Sequence, residues 1–234
     1  MNGLVRISLV FLFCAMVALA AEKPTVEAVH APADVPLTTD ASSAFWRGAG
    51  IASLERDTQG KDVPNFHAEV RVRWTKDNLY FLFICPYDEL YLKPSPSTIQ
   101  ETNELWNWDV AEVFISSNFS DIQRYQEFEV SPQGEWVDLD IDLHKPHHEV
   151  GWVWNSGFER TARIDHAVRR WYAAMKIPLS AIDQRPAAAG NTFRMNLFLS
   201  EGPPSKHHEV TWQSPMSNTF HTPERFGLLK LSSP

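Results

Sequence analysis

Apolar and polar positions alternate along most of this chain, in short runs separated by turn signals. AEVRVRW (68–74) points Val70, Val72 and Trp74 to one side and charged residues to the other, the period-2 signature of a half-buried strand. After the turn Lys76-Asp77-Asn78, LYFLFIC (79–85) is apolar on both faces and completes a hairpin. DVAEVFIS (109–116) is also apolar on both faces except at Glu112, with Val110 and Phe114 on one face and Ala111, Val113 and Ile115 on the other. RYQEFEV (124–130) sets Phe128 and Val130 against Tyr125, Glu127 and Glu129. Beyond the Ser131-Pro132-Gln133-Gly134 turn, EWVDLDIDL alternates strictly, and the pattern predicts Val137, Leu139, Ile141 and Leu143 inward with Asp138, Asp140 and Asp142 on a solvated face. Further strands are expected near 51–54, at RTARID, RRWYAAMKIPL, FRMNLFL, EVTW and FGLLKL, with one helical turn at Ser180 to Ile182. Ten or so short strands without an amphipathic helical run predict an all-β fold, an antiparallel β-sandwich of jelly-roll type.

The first twenty residues read differently. Arg6, an apolar run from Ile7 to Leu19 and the Ala18-Leu19-Ala20 site form an export signal, which places the product in the periplasm or outside the cell. That run is too short to span a bilayer comfortably, so no membrane insertion is expected after cleavage. Cleavage after Ala20 removes Cys14 and leaves Cys85 alone, expected to be a small buried apolar residue. The Pro-, Ala- and Thr-rich residues 21–44 predict a loosely held lead-in, and 45–234 one sandwich domain, expected to be a monomer.

The chain has 234 residues and a formal charge of −8. That balance disfavours nucleic acid and anionic membrane as partners. Nine tryptophans are many for this length, and several stand beside turns in polar company.

Several clusters carry candidate chemistry. Glu112, in an apolar strand, must be hydrogen-bonded or serve a ligand, because burying it unpaired costs several kcal/mol. Trp106 before that strand offers a ring that stacks on the apolar face of a pyranose, and Glu112 an acceptor for its hydroxyls; the competing role is a core-edge Trp106 and a Glu112 paired with arginine. Asp138, Asp140 and Asp142 superficially match a calcium loop, yet Leu143 stands where that loop needs Gly and no flanking helices exist. They remain candidates for a structural Ca²⁺ bound with loop carbonyls, beside the simpler reading of a solvated sheet face. His144, His147, His148, His207 and His208 fall in two loops without zinc-like spacing and read as solvated. Glu112, Glu127 and Glu129 sit on neighbouring strands, but nothing in the sequence marks a glycosidase pair or a G-x-S-x-G nucleophile, so no enzyme is expected.

The ordered set VRVRWTKDNLYFLF (70–83), LWNWDVAEVFI (105–115), YQEFEVSPQGEW (125–136), FRMNLFLSEGP (193–203) and NTFHTPERFGLLKL (218–231) resembles the family 9 carbohydrate-binding modules, and especially exported single-domain members. The resemblance implies a β-sandwich, structural calcium and a sugar held between two aromatic rings at a chain end. The W-x-x-D-x-x-E motif of that family falls on Trp106, Asp109 and Glu112. Phe220 occupies the place of the second tryptophan, ahead of His221-Thr222-Pro223. Asn218 corresponds to an Asn of the family site, and Glu129 stands where the family has a basic residue. Of the N-terminal family pattern, Asp40 and Trp46 are kept without the Gly. The resemblance implies a non-catalytic module for oligosaccharide or polysaccharide chain ends, accessory to polysaccharide breakdown, with Trp106, Asp109, Glu112, Glu127, Glu129, Asn218 and Phe220 at the ligand. Two alternatives stay open: a haem-binding electron-transfer sandwich using Met175, Met195 or His221, and a cell-envelope interaction module with no sugar site.

Overall fold

The structure is a computed structural model, and it describes residues 22–233; the export signal expected at residues 1–20 lies outside them. Twelve strands form: β1 (Thr25–His30), β2 (Gly50–Leu54), β3 (Ala68–Trp74), β4 (Asn78–Pro86), β5 (Val110–Ser116), β6 (Arg124–Val130), β7 (Trp136–Asp142), β8 (Glu159–Asp165), β9 (Arg170–Pro178), β10 (Thr192–Glu201), β11 (His208–Thr211) and β12 (Gly227–Ser232). They hydrogen-bond in the order β7-β6-β5-β10-β12-β1-β3-β4-β9-β8, with β11 added to β10 and β2 to β3. The path folds back on itself, so that Phe128 of β6 meets Phe158, just ahead of β8, at 5.3 Å between ring centroids. The all-β sandwich is therefore the observed fold. Helical structure among the described residues is confined to short 3-10 turns, and none is long and apolar enough to cross a membrane.

The main core lies between the two halves of this path. It takes Ala111, Val113 and Ile115 from β5, Phe128 and Val130 from β6, Val70 and Val72 from β3, Phe81 and Phe83 from β4, and Trp171, Ala173 and Met175 from β9. Each of the valine, isoleucine, phenylalanine and methionine side chains among them contributes about 1.5–3 kcal/mol by leaving water. Cys85 is buried in this core, as an apolar filler should be.

The lead-in is not loose. Thr25–His30 is an integral strand, paired in parallel with β12 on one side and with β3 on the other, whereas the remaining strand pairs are antiparallel. Buried Val26 and Ala28 anchor it in the main core, and weak local alternation hid this long-range pairing. Residues 35–49 then cross the outer face of β4 and β9, where Val35, Leu37, Phe45 and Trp46 cover Tyr80, Leu82, Ile84 and Tyr172. That cover is why β4 is apolar on both faces.

A second correction concerns β7. Val137, Leu139 and Ile141 do not enter the main core; they join Val110, Phe114, Tyr125 and Phe198 in a separate cluster on the outer face of β5, β6 and β10. Asp138, opposite Phe128 in the ladder, turns to the inner side and is buried rather than solvated. Its Oδ2 accepts a hydrogen bond from the Ser156 backbone N–H.

Candidate functional site

The outer face of β5, β6, β7 and β10 floors a cavity of about 480 Å³, open to solvent. Alternation decides which residues reach it. Val110, Glu112 and Phe114 leave β5 on this side, while Tyr125, Glu127 and Glu129 leave β6. Glu112 and Glu129 stand directly opposite in the ladder, and Glu127 faces Phe114 one step along.

One wall is built by the turn Leu105–Asn107. Glu104 adopts the left-handed backbone conformation with φ 60°, which reverses the long loop; Leu105 then plugs into the outer cluster and Trp106 stands half-buried at the rim. Asp109 does not line the cavity. It is buried, and its Oδ2 accepts from the Tyr91 N–H at 2.9 Å while Oδ1 accepts from the Gly202 N–H at 2.7 Å. Gly202 makes that contact with φ 89°, a conformation open to glycine. Asp109 thus ties the long loop to the end of β10 and positions Trp106; the expectation that it contacts ligand is corrected. Burial raises its carboxyl to about 6 against those two hydrogen bonds.

Phe220 forms a second wall. It lies flat on Phe198, with centroids 4.1 Å apart and planes 7° from parallel, leaving one ring face free. Asn218 and Thr219 beside it also line the cavity.

Three residues that the sequence marked less strongly complete the site. His221 stacks on Phe114 at 5.4 Å, hydrogen-bonds the Tyr125 hydroxyl through Nδ1, and meets His148 edge-on at 4.3 Å. Burial, then the neighbouring His148, lowers His221 to about 4, so it is neutral near pH 7. His148 was expected to be a solvated loop histidine, and it lines the cavity instead. Glu209 of β11 enters beside Glu112. No local pattern brings 148, 209 and 221 together; only the pairing of β11 with β10 and the return of the 212–226 segment do.

The electrostatics of the floor are unusual. Glu112, Glu127 and Glu129 are 1%, 3% and 0% exposed, and single oxygens from the three lie within 4.8 Å of one another. Burial raises Glu112 and Glu129 well above the usual carboxylate range, mutual repulsion adds to it, and Glu127 is pushed up to about 7 by burial. Among the described residues no arginine or lysine is among the charges acting on them; Arg194, a buried cation of β10, donates through Nε and Nη2 to the Asn118 and Arg124 carbonyls and leaves Nη1 without a partner.

The aspartates proposed for calcium do not form a site as a set. On one side of a strand successive residues stand about 6.8 Å apart. Asp138 is engaged by Ser156, Asp140 by Gln126, and Asp142 by Arg124 and Lys145. The haem alternative fails on placement: Met175 and Met195 are sealed in the main core, and His221 belongs to the outer face.

The fold is a β-sandwich with an aromatic-walled, acidic cavity on the outer face of one half. A family model described as carbohydrate family 9 binding domain-like matches residues 40–233, and the chain belongs to that family. An extracellular protein of Arthroderma benhamiae is 27% identical over 149 residues, covering 57% of this chain; the chain spans 65% of that relative's length. A family 9 carbohydrate-binding module of Caldicellulosiruptor kristjanssonii, solved with cellotriose, superposes with a TM-score of 0.62 at 13% identity, over 90% of this chain and 95% of that one. The structure of that source's module with glucose gives 0.61 at 13% identity, over 89% and 96%. A Bacteroides uniformis protein of proposed carbohydrate binding gives 0.69 at 18% identity, over 90% of this chain and all of its own. At these identities the likeness is one of fold.

Proposed function

We propose that this protein is an exported, non-catalytic carbohydrate-binding module that holds a sugar ring in the outer-face cavity between Trp106 and Phe220. The observation that carries the reading is the composition of that cavity: two half-buried aromatic rings over a floor of polar side chains, in a chain of the family 9 type. Aromatic faces stack on the C–H face of a pyranose, and burying that face together with directed hydrogen bonds to hydroxyls gives orientation as well as affinity. Glu112, Glu127, Ser200 and Asn218 are the hydrogen-bonding groups. Protonated Glu127 or Glu112 would donate to a sugar oxygen, and the ionised form would accept from a hydroxyl. The structural neighbours bound to glucose and cellotriose support a β-glucan fragment as the first ligand to try. The extracellular relative supports an exported location.

The test is a tryptophan-fluorescence titration with glucose, cellobiose, cellotriose and xylobiose. A saturable shift in the native protein, lost in Trp106→Ala with the thermal midpoint unchanged, supports the reading. No response to any sugar, or a Trp106→Ala variant that binds normally, overturns it.

A further inference from the structure

The three glutamates of the cavity floor are provisioned for something other than protein donors. Four of their oxygens, Glu112 Oε1, Glu127 Oε2 and both of Glu129, are buried without a donor from outside the cluster; Glu127 and Glu129 hydrogen-bond each other when one is protonated, and Ser200 reaches Glu112. Buried polar groups are nearly always satisfied, and a buried charge without a partner is costly. Most other buried acids have donors: Asp109 has two backbone N–H groups, Asp183 has Arg185 and Asp138 has Ser156, while Glu135 accepts from the Ser131 hydroxyl on one oxygen and has no partner on the other. The floor is where such oxygens are gathered together, and Glu112 and Glu127 open into the cavity while Glu129 stands opposite Glu112.

We infer that Glu112, Glu127 and Glu129 form a binding site for a divalent cation, calcium by ligand type and spacing, at the base of this cavity. Three atoms no more than 4.8 Å apart enclose a centre within about 2.8 Å of each, close to the 2.3–2.6 Å at which calcium sits from oxygen, with a small inward movement of the side chains. All the ligand atoms are hard oxygens, the donor set of calcium rather than of zinc or copper. Four acceptor oxygens exceed what a single ammonium group satisfies with its three N–H bonds, and binding the cation would release the protons that burial otherwise keeps on these carboxyls. The cation would face the cavity, so its open coordination positions would meet sugar hydroxyls; that last role rests on the sugar reading above, whereas the site itself does not.

The test uses the full chain stripped with chelator. Terbium, which substitutes for calcium, is added and its luminescence excited through tryptophan, since Trp106 stands on the same cavity; calcium binding is measured in parallel by calorimetry. The expected result is saturable binding of about one ion, displaced by calcium, with affinity falling at least tenfold in Glu129→Gln. Glu112→Gln provides a second isosteric variant should the first fail to fold. Trp106→Ala should dim the luminescence while leaving calorimetric calcium binding intact. No calcium binding at millimolar concentration, or binding unchanged in both glutamine variants, overturns the assignment. Glucosamine binding that is lost in Glu129→Gln, in a protein that ignores calcium, also overturns it and marks an ammonium site. Sugar binding indifferent to chelator leaves the sugar reading standing and removes the cation from it. Calcium bound by the glutamates without any sugar response does the reverse.

Discussion

The two outer faces of the sandwich are finished in opposite ways. Over β4 and β9 the crossing segment 35–49 closes the sheet with Trp46, Phe45 and Leu37. Even the exposed Asp34 at its margin is fully provisioned, accepting from the Thr75 hydroxyl, the Asn78 amide at 2.9 Å and the Tyr80 hydroxyl at 3.0 Å. Burial works against its charge, yet those hydrogen bonds hold its carboxyl below the ordinary value. Over β5, β6 and β10 no described segment crosses in the same manner. An aromatic rim stays open, and three buried acids have no donor from outside their own cluster on four of their oxygens. One face is spent on stability and the other reserved for a ligand, and the difference is visible in how each carboxylate is satisfied.

Breaking the closed face should have the largest effect. Trp46 is 2% exposed and its indole N–H donates to the Thr38 carbonyl at 3.2 Å. Trp46→Ala is expected to cost about 3–5 kcal/mol in denaturant unfolding while leaving ligand affinity unchanged.

The open face should show itself through pH. Glu127 is held at about 7 in the folded protein against 4.5 ordinarily, so between those values the unfolded chain loses a proton that the folded one keeps. Stability therefore falls as pH rises through that window, by about 1.4 kcal/mol per pH unit for such a group. Glu112 and Glu129 extend the fall to higher pH, since both are raised further. In chelator, the thermal midpoint should drop between pH 5 and pH 7, and Glu129→Gln should flatten the slope. Asp34 has the opposite sign: its contribution is present above its unfolded value and disappears on acidification through the lower folded one.

Smaller effects sharpen the contrast. Tyr80→Phe removes a donor from Asp34 and should cost about 1 kcal/mol, with the Asp34 titration moving upward by NMR. On the open face, Phe220→Ala should leave the fold intact and weaken sugar binding several-fold, in line with about 0.5–1.5 kcal/mol for one aromatic contact. Phe220→Trp should strengthen it in the same titration, because a larger ring covers more of the sugar.

Much of this was legible in the sequence. Period-2 alternation located β3, β5, β6 and β7 within a residue or two, and the turn at 131–134 is confirmed by Gly134 with φ 86°. Glu112 stood out because a carboxylate in an apolar strand demands a partner. Trp106, Glu112, Glu127, Asn218 and Phe220 do share one cavity, with Glu129 against its floor. Asp109 shows the limit of a motif: at its spacing from Trp106 it holds the loop, which spacing alone does not distinguish from touching a ligand. On β7 alternation separated the faces, with Val137, Leu139 and Ile141 buried and Asp140 exposed, but it does not say which core each face meets, and Asp138 is buried on the inner side.

By itself the sequence determined the strands, the turns, the one-sided chemistry of each strand and the family to which they belong, since these depend on neighbours two residues apart. Only the tertiary structure decided that β1 is a central strand, that His148, Glu209 and His221 join the cavity, and that Glu112 lies against Glu129 without an arginine between them. Those facts depend on register between segments distant in the chain, which side-chain period leaves undetermined and which packing of the whole sandwich fixes.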